Sequence, residues 1–239
     1  MTNPASTNPS PDFTSRSRGR GAGAVALLAA VFGLTLAGCL GGSAVPERLF
    51  RLSDPQPPAG SGKAVDGMLM VEGFESRGAL ARERTILYRD LAQANETQFY
   101  PASQWEEAPA TMVQAAIATC LDRAGLFDGV VRRDRRFHPR YILSGSLDQL
   151  EHRVAGHCSD ALIRLQVALI DDDTHRVLLR GVYQAAEPAA QGQIEQVLPA
   201  FDRGLGRICA ALVDDLRHRA PGSGPARPRN DPMPACAGP

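Results

Sequence analysis

Apolar positions along this chain change their spacing several times, and each change predicts an element. A run of fifteen apolar or small residues from Ala22 to Leu36 comes first, after a polar stretch. Residues 48–52 then suggest a short edge strand, and the Pro/Gly-rich residues 53–63 a loop or linker. Apolar segments 68–74, 85–91 and 96–100 read as strands, the last stopped by Pro101. Val113, Ile117, Leu121 and Ala124 recur at helical spacing, so a helix is predicted over 109–124. Pro109 suits its first turn, and Gly125 stands where a closing glycine belongs.

Strand spacing then returns. Residues 129–132 are a short candidate. Tyr141, Leu143, Gly145 and Leu147 alternate with Ile142, Ser144, Ser146 and Asp148. Ile163, Leu165, Val167 and Leu169 alternate with Arg164, Gln166 and Ala168 in the same way. After a turn at 171–175, Val177, Leu179, Gly181 and Tyr183 form the inner face of a return strand. These three strands read as an antiparallel meander with one face covered. Ile194, Leu198, Phe201, Leu205, Ile208 and Leu212 mark a last helix, which either starts near Pro199 or kinks there. The order of elements gives the fold class α/β (α+β). It implies a single domain whose mostly antiparallel or mixed sheet carries two helices on one face.

The first apolar run is short for a membrane span, which takes about 20 such residues. Arg16, Arg18 and Arg20 precede it and small residues follow, the parts of a secretory signal. No two of these arginines are adjacent, so a twin-arginine signal is not supported. Leu36-Ala37-Gly38-Cys39 matches the bacterial lipobox at all four positions. The match implies cleavage before Cys39, acylation of its thiol (palmitate included) and anchoring by several acyl chains. An uncleaved anchor helix with an incidental cysteine is the alternative. By the sorting rule of enteric bacteria, Leu40 in place of aspartate favours the outer membrane, with the protein facing the periplasm. The expected organisation is a signal peptide over 1–38, a lipidated tether over 39–46, a domain over 47–217 and a disordered Pro/Gly-rich tail over 218–239.

The 239 residues carry 26 basic and 26 acidic side chains, a balance that argues against general nucleic-acid binding. Cleavage would remove Arg16, Arg18, Arg20 and Asp12, leaving a formal charge of −2. None of the five histidines has a nucleophile or carboxylate partner visible in the sequence, and no Gly-x-Ser-x-Gly elbow or phosphate-cradling loop occurs. His152, His157 and Cys158 suggest a soft-metal set without enough spaced ligands to specify one. No catalytic residue, metal or cofactor is therefore expected.

Binding candidates remain. Arg132, Arg133, Arg135 and Arg136, with Arg140, form a basic cluster whose guanidinium forks suit lipid head groups or an acidic partner. A solvated strand end is the plainer explanation. Tyr100 and Trp105 flank the turn into the first helix and are candidate partner contacts, with core packing the alternative for Trp105. Cys120 and Cys209 are expected as buried thiols in two helices on one sheet face, a disulfide between them being the alternative. Cys158 lies near a strand start and Cys236 in the tail.

Several of these residues fall in a familiar order: Arg84-x3-Tyr88-Arg89, Phe99-Tyr100, Trp105-x-x-Ala108-Pro109, Gly125-Leu126-Phe127-x-x-Val130 and Leu143-x-Gly145-x-Leu147. Together with the lipobox, they resemble the auxiliary lipoproteins of ABC-type transport systems, including the intermembrane-transport lipoprotein of the Pqi type. The resemblance covers roughly 48–217. It implies a non-catalytic, outer-membrane-anchored accessory to an MCE-domain protein and an ABC permease and ATPase, which move lipids or hydrophobic compounds between membranes. Docking and tethering would be its mechanism, with a homo-oligomer the expected arrangement. A stand-alone lipoprotein binding a ligand or cell-wall material, or a divergent hydrolase, is the competing reading.

Overall fold

A computed structural model describes residues 46–58, 65–81, 84–93, 95–132 and 138–218. Its frame is the meander of β7 (Tyr141–Ala155), β8 (Cys158–Asp171) and β9 (Arg176–Pro188), paired antiparallel. All three strands run longer than the alternation predicts. The reason is a bulge in β7, where Leu147 faces Leu165 but Gln149 faces Arg164. That extra residue interrupts the period. Beyond it Leu150 and His152 take over the inner face from Leu143 and Leu147. The turn between β8 and β9 is closed by Asp171, whose Oδ1 accepts the Thr174 N–H and hydroxyl at 2.9 Å each. Those bonds hold the Asp171 carboxyl below its ordinary pKa.

The other long side of β7 is shared along its length. β2 (Met68–Val71), β3 (Glu75–Ser76) and β4 (Thr85–Asp90) pair with it in turn, all parallel. β6 (Gly129–Arg132) extends the sheet beyond β2, and β5 (Gln98–Trp105) extends it beyond β4. β1 (Arg48–Phe50) is the edge strand on β5. The nine-stranded sheet is thus mixed, and it forks around β7.

β5 does not stop at Pro101 as expected. From Leu87 to Thr85 on β4 is two steps, whereas the paired residues Phe99 and Gln104 are five apart. Pro101 sits in that bulge, where its missing N–H is not required by a ladder, and Ala102 adopts a φ of 52°.

α1 (Pro109–Ala124) has the predicted bounds, with Pro109 in the first turn and Gly125 closing it at φ 63°. α2 (Ile194–His218) begins five residues before Pro199 and continues through it. At that depth the proline removes only the bond to the Glu195 carbonyl, while the stripe from Ile194 to Leu216 is buried. Both helices lie on the inner sheet face, α1 over β3, β6 and β7 and α2 over β8 and β9. Gly204 of α2 faces Ile163 of β8 and Ala185 of β9.

The expectation of free buried thiols is corrected. Cys120 and Cys209, each fully buried, form a disulfide between the two helices. The composition-based linker is also better fastened than predicted. Leu52 and Pro55 are buried, and Ser53 donates both its N–H and hydroxyl to Asp202 at 2.8 Å each. Residues 59–64 and the tail over 219–239 lie outside the described residues.

Candidate functional site

One end of the domain gathers polar groups that the sequence scatters. The β7 bulge turns His152 inward, the β5 bulge carries Tyr100, and Ser159 is the second residue of β8. Tyr100 Oη lies 2.6 Å from His152 Nδ1, and His152 Nε2 lies 2.5 Å from Ser159 Oγ. A neutral imidazole satisfies both contacts, one nitrogen donating and the other accepting. The Tyr88 ring meets both Tyr100 and His152, with centroids 6.0 and 5.5 Å away. Burial pushes the His152 pKa down to about 4, against the opposing pull of Asp160. It also raises the Tyr100 phenol to about 12, helped by Tyr88 and Glu195.

A serine hydroxyl beside an imidazole is also the contact of a nucleophile and its base. Here the serine is buried, and its carbonyl takes the Ala189 N–H at 2.9 Å. The pair works as a tie between strands. The segment leading into α2 is strapped to the same end: Tyr100 donates to the Gly192 carbonyl at 3.2 Å, and Gln191 donates to the Gly156 carbonyl at 2.7 Å. Arg48, at the start of β1, pairs with Glu195 in the first turn of α2. The start of β1 therefore lies at this end of the domain.

The outer sheet face is charged and open. Arg153 and Asp160 form two bonds of 2.8 Å each, and Arg89 reaches the buried Glu151 at 3.0 Å. Towards the start of β7 the face hollows into a groove of about 490 Å³. Ser144, Ser146, Gln166 and Ala168 floor it, with Glu72, Glu75, Arg77 and Arg180 around them. Gly145 helps to thin the sheet here: a Cβ would stand 2.8 Å from the Gln166 carbonyl oxygen and 3.0 Å from the Phe74 ring.

Among the described residues, the predicted binding residues Arg132 and Tyr100 do not come together. Cys39, Arg133, Arg135 and Arg136 lie outside the described residues. Arg132 ends β6, exposed, opposite Val71, and Val71 is opposite Leu143. Tyr100 contacts His152 instead. At about 3.3 Å per residue, those positions on β7 are roughly 30 Å apart.

Trp105 is not available to a partner. It is fully buried with its ring 5.8 Å from Phe201, and its indole N–H finds no acceptor among the described residues. As the buried last residue of β5, packed on Phe201 of α2, it belongs to the core. The suggested soft-metal set does not assemble either, because His152 is held by Tyr100 and Ser159. Cys158 is itself disulfide-bonded. No cluster of three or more potential metal ligands occurs among the described residues.

The His152–Ser159 contact was missed in the sequence because its signal is a bulge, which alternation conceals.

Residues 50–213 match the family model of the ABC-type transport auxiliary lipoprotein component. Among solved structures, a protein from Xanthomonas campestris is similar at 20% identity, covering 69% of this chain and 92% of that one, with a TM-score of 0.60. An uncharacterized protein is similar at 10% identity, covering 72% and 99%, with a TM-score of 0.55. Both show the fold. No curated protein matches the sequence.

Proposed function

Because the chain belongs to the ABC-type transport auxiliary lipoprotein component family, we propose that it serves an intermembrane transport system of the MCE/ABC type. Lipidated Cys39 would hold it to the outer membrane, with the domain in the periplasm. There it docks and tethers the partner machinery that carries lipids or hydrophobic compounds, without chemistry of its own. One observation carries this reading: the family match spans almost the whole described domain. Few residues separate Cys39 from β1 in the sequence, which supports a domain held close to its membrane anchor.

A stand-alone ligand-binding lipoprotein is the second reading, and the outer-face groove is the feature in its favour. Genetics separates the two. Deleting this gene is expected to reproduce the envelope defect of deleting the permease or MCE-domain gene, and the double deletion to be no worse. Wild-type chain restores the phenotype, whereas Cys39→Ser does not and also loses palmitate label. An additive double-deletion defect overturns the transport reading. Palmitate label surviving Cys39→Ser overturns the anchor.

A further inference from the structure

Two neighbouring rows of side chains cross the outer sheet face. The first is apolar. Val131 pairs with Met70, Met70 with Ile142, Ile142 with Ile170, and Ile170 with Val177, so five strands each place one apolar side chain in line. Met70, Ile142 and Ile170 each adjoin a buried leucine of the inner face and therefore point away from the helices. Val177 is 60% exposed, the most exposed large apolar side chain among the described residues. Four strand spacings give the row a length of about 19 Å, within reach of a long acyl chain.

The second row lies two residues further along β7 and ends in opposite charges. Val71 pairs with Leu143, and the Glu72 N–H reaches the Leu143 carbonyl at 2.9 Å, which sets Glu72 beside Ser144. Ser144 pairs with Ala168, and Ala168 with Arg180. Glu72 and Arg180 thus stand about 14 Å apart across the sheet with two small residues between them. They are opposite walls of the 490 Å³ groove. Neither side chain forms an ion pair among the described residues. Glu75 adds a second carboxylate to the Glu72 wall, whereas Arg77 is turned towards Asp148 at 3.8 Å.

A carboxylate wall suits an ammonium, and the guanidinium fork opposite suits a phosphate. A chain attached to such a head group would leave the groove directly onto the apolar row and be removed from water there. We propose that the outer sheet face binds a zwitterionic amphiphile. Its phosphate lies on Arg180, its ammonium on Glu72 and Glu75, and its acyl chain along Met70, Ile142 and Ile170. This site rests on the ligand-binding reading of the groove and does not require that the chain act alone.

Native mass spectrometry of the full-length lipoprotein, released from detergent micelles, tests the site. The probes are palmitoyl lysophosphatidylethanolamine, the lysophosphatidylglycerol of the same chain, and free phosphoethanolamine. A single bound lysophosphatidylethanolamine is expected, with the other two held more weakly. Arg180→Glu and Ile170→Ser should each weaken it by at least about tenfold. Glu72→Gln should remove the preference over lysophosphatidylglycerol. Leu49→Ser, at an exposed position on β1, should change nothing. Adducts without fixed stoichiometry, binding that survives Arg180→Glu, or equal loss from Leu49→Ser overturns the site. Free phosphoethanolamine bound as tightly as the lysolipid overturns the acyl-chain row. A chain that binds no lysolipid yet still co-isolates an MCE-domain protein and permease overturns this site alone. Lysolipid bound by a chain that captures neither of them retains the site and overturns the transport reading.

Discussion

The two halves of β7 are built differently although they belong to one strand. From Tyr141 to Leu147 its inner face is apolar, lies under α1 and faces the helices that the Cys120–Cys209 disulfide joins. Past the bulge, Leu150 is followed by His152, and the packing gives way to a hydrogen-bonded chain of Tyr100, His152 and Ser159. The first half is held by burial and a covalent bond, neither of which titrates near neutral pH. The second depends on an imidazole staying neutral inside the protein. One strand thus offers a permanent half and a conditional half, and the conditional one lies beside the start of β1.

The largest effect should come from the apolar half. Leu143→Ala removes a fully buried side chain and is expected to cost about 2–5 kcal/mol in urea unfolding. A cost below 1 kcal/mol would mean that this half is not tightly packed. Replacing both Cys120 and Cys209 by serine opens a link between residues 89 apart and should cost about 2–5 kcal/mol, with little dependence on pH.

The conditional half should reveal itself in acid. The His152 pKa is about 4 in the folded chain, below the ordinary value of 6.5, so the unfolded chain binds the proton more readily between those values. Stability from this group is complete above pH 6.5 and is lost as pH falls towards 4. Unfolding at pH 7.5 and 4.5 should differ by about 2–3 kcal/mol through this group. His152→Gln should lack that component. Equal pH slopes for the two proteins would break the comparison. The smallest effect is expected from Tyr100→Phe, which deletes one hydroxyl and should cost about 1 kcal/mol. That cost should shrink in a His152→Gln background, because the two groups share one hydrogen-bonded chain.

Legibility in the sequence followed the same division. α1 could be bounded to the residue because Pro109 and Gly125 act locally, through a fixed φ and a left-handed one. The meander was visible because alternation is a local property of each strand. Its full length was not, since the bulge at Leu147/Gln149 inverts which parity faces inward. Pro101 misled for a related reason: a proline ends a ladder only where a ladder bond is needed, and the β5 bulge needs none there. Trp105 and the Cys120–Cys209 pair depended on where α2 would lie, and no local pattern records that contact. Of the candidate binding residues, Tyr100 proved to be an internal hydrogen-bonding group, while Arg132 stands apart from it at the end of β6.

The central claim is that the lipid-anchored domain docks on a transport machine. The most direct measurement is co-isolation: full-length tagged lipoprotein, extracted in mild detergent after crosslinking in cells, with the captured proteins identified by mass spectrometry. The account predicts recovery of an MCE-domain protein together with its ABC permease, with recovery falling sharply for Cys39→Ser. Wild-type protein that is labelled with palmitate and abundant, yet captures neither of them, would contradict it.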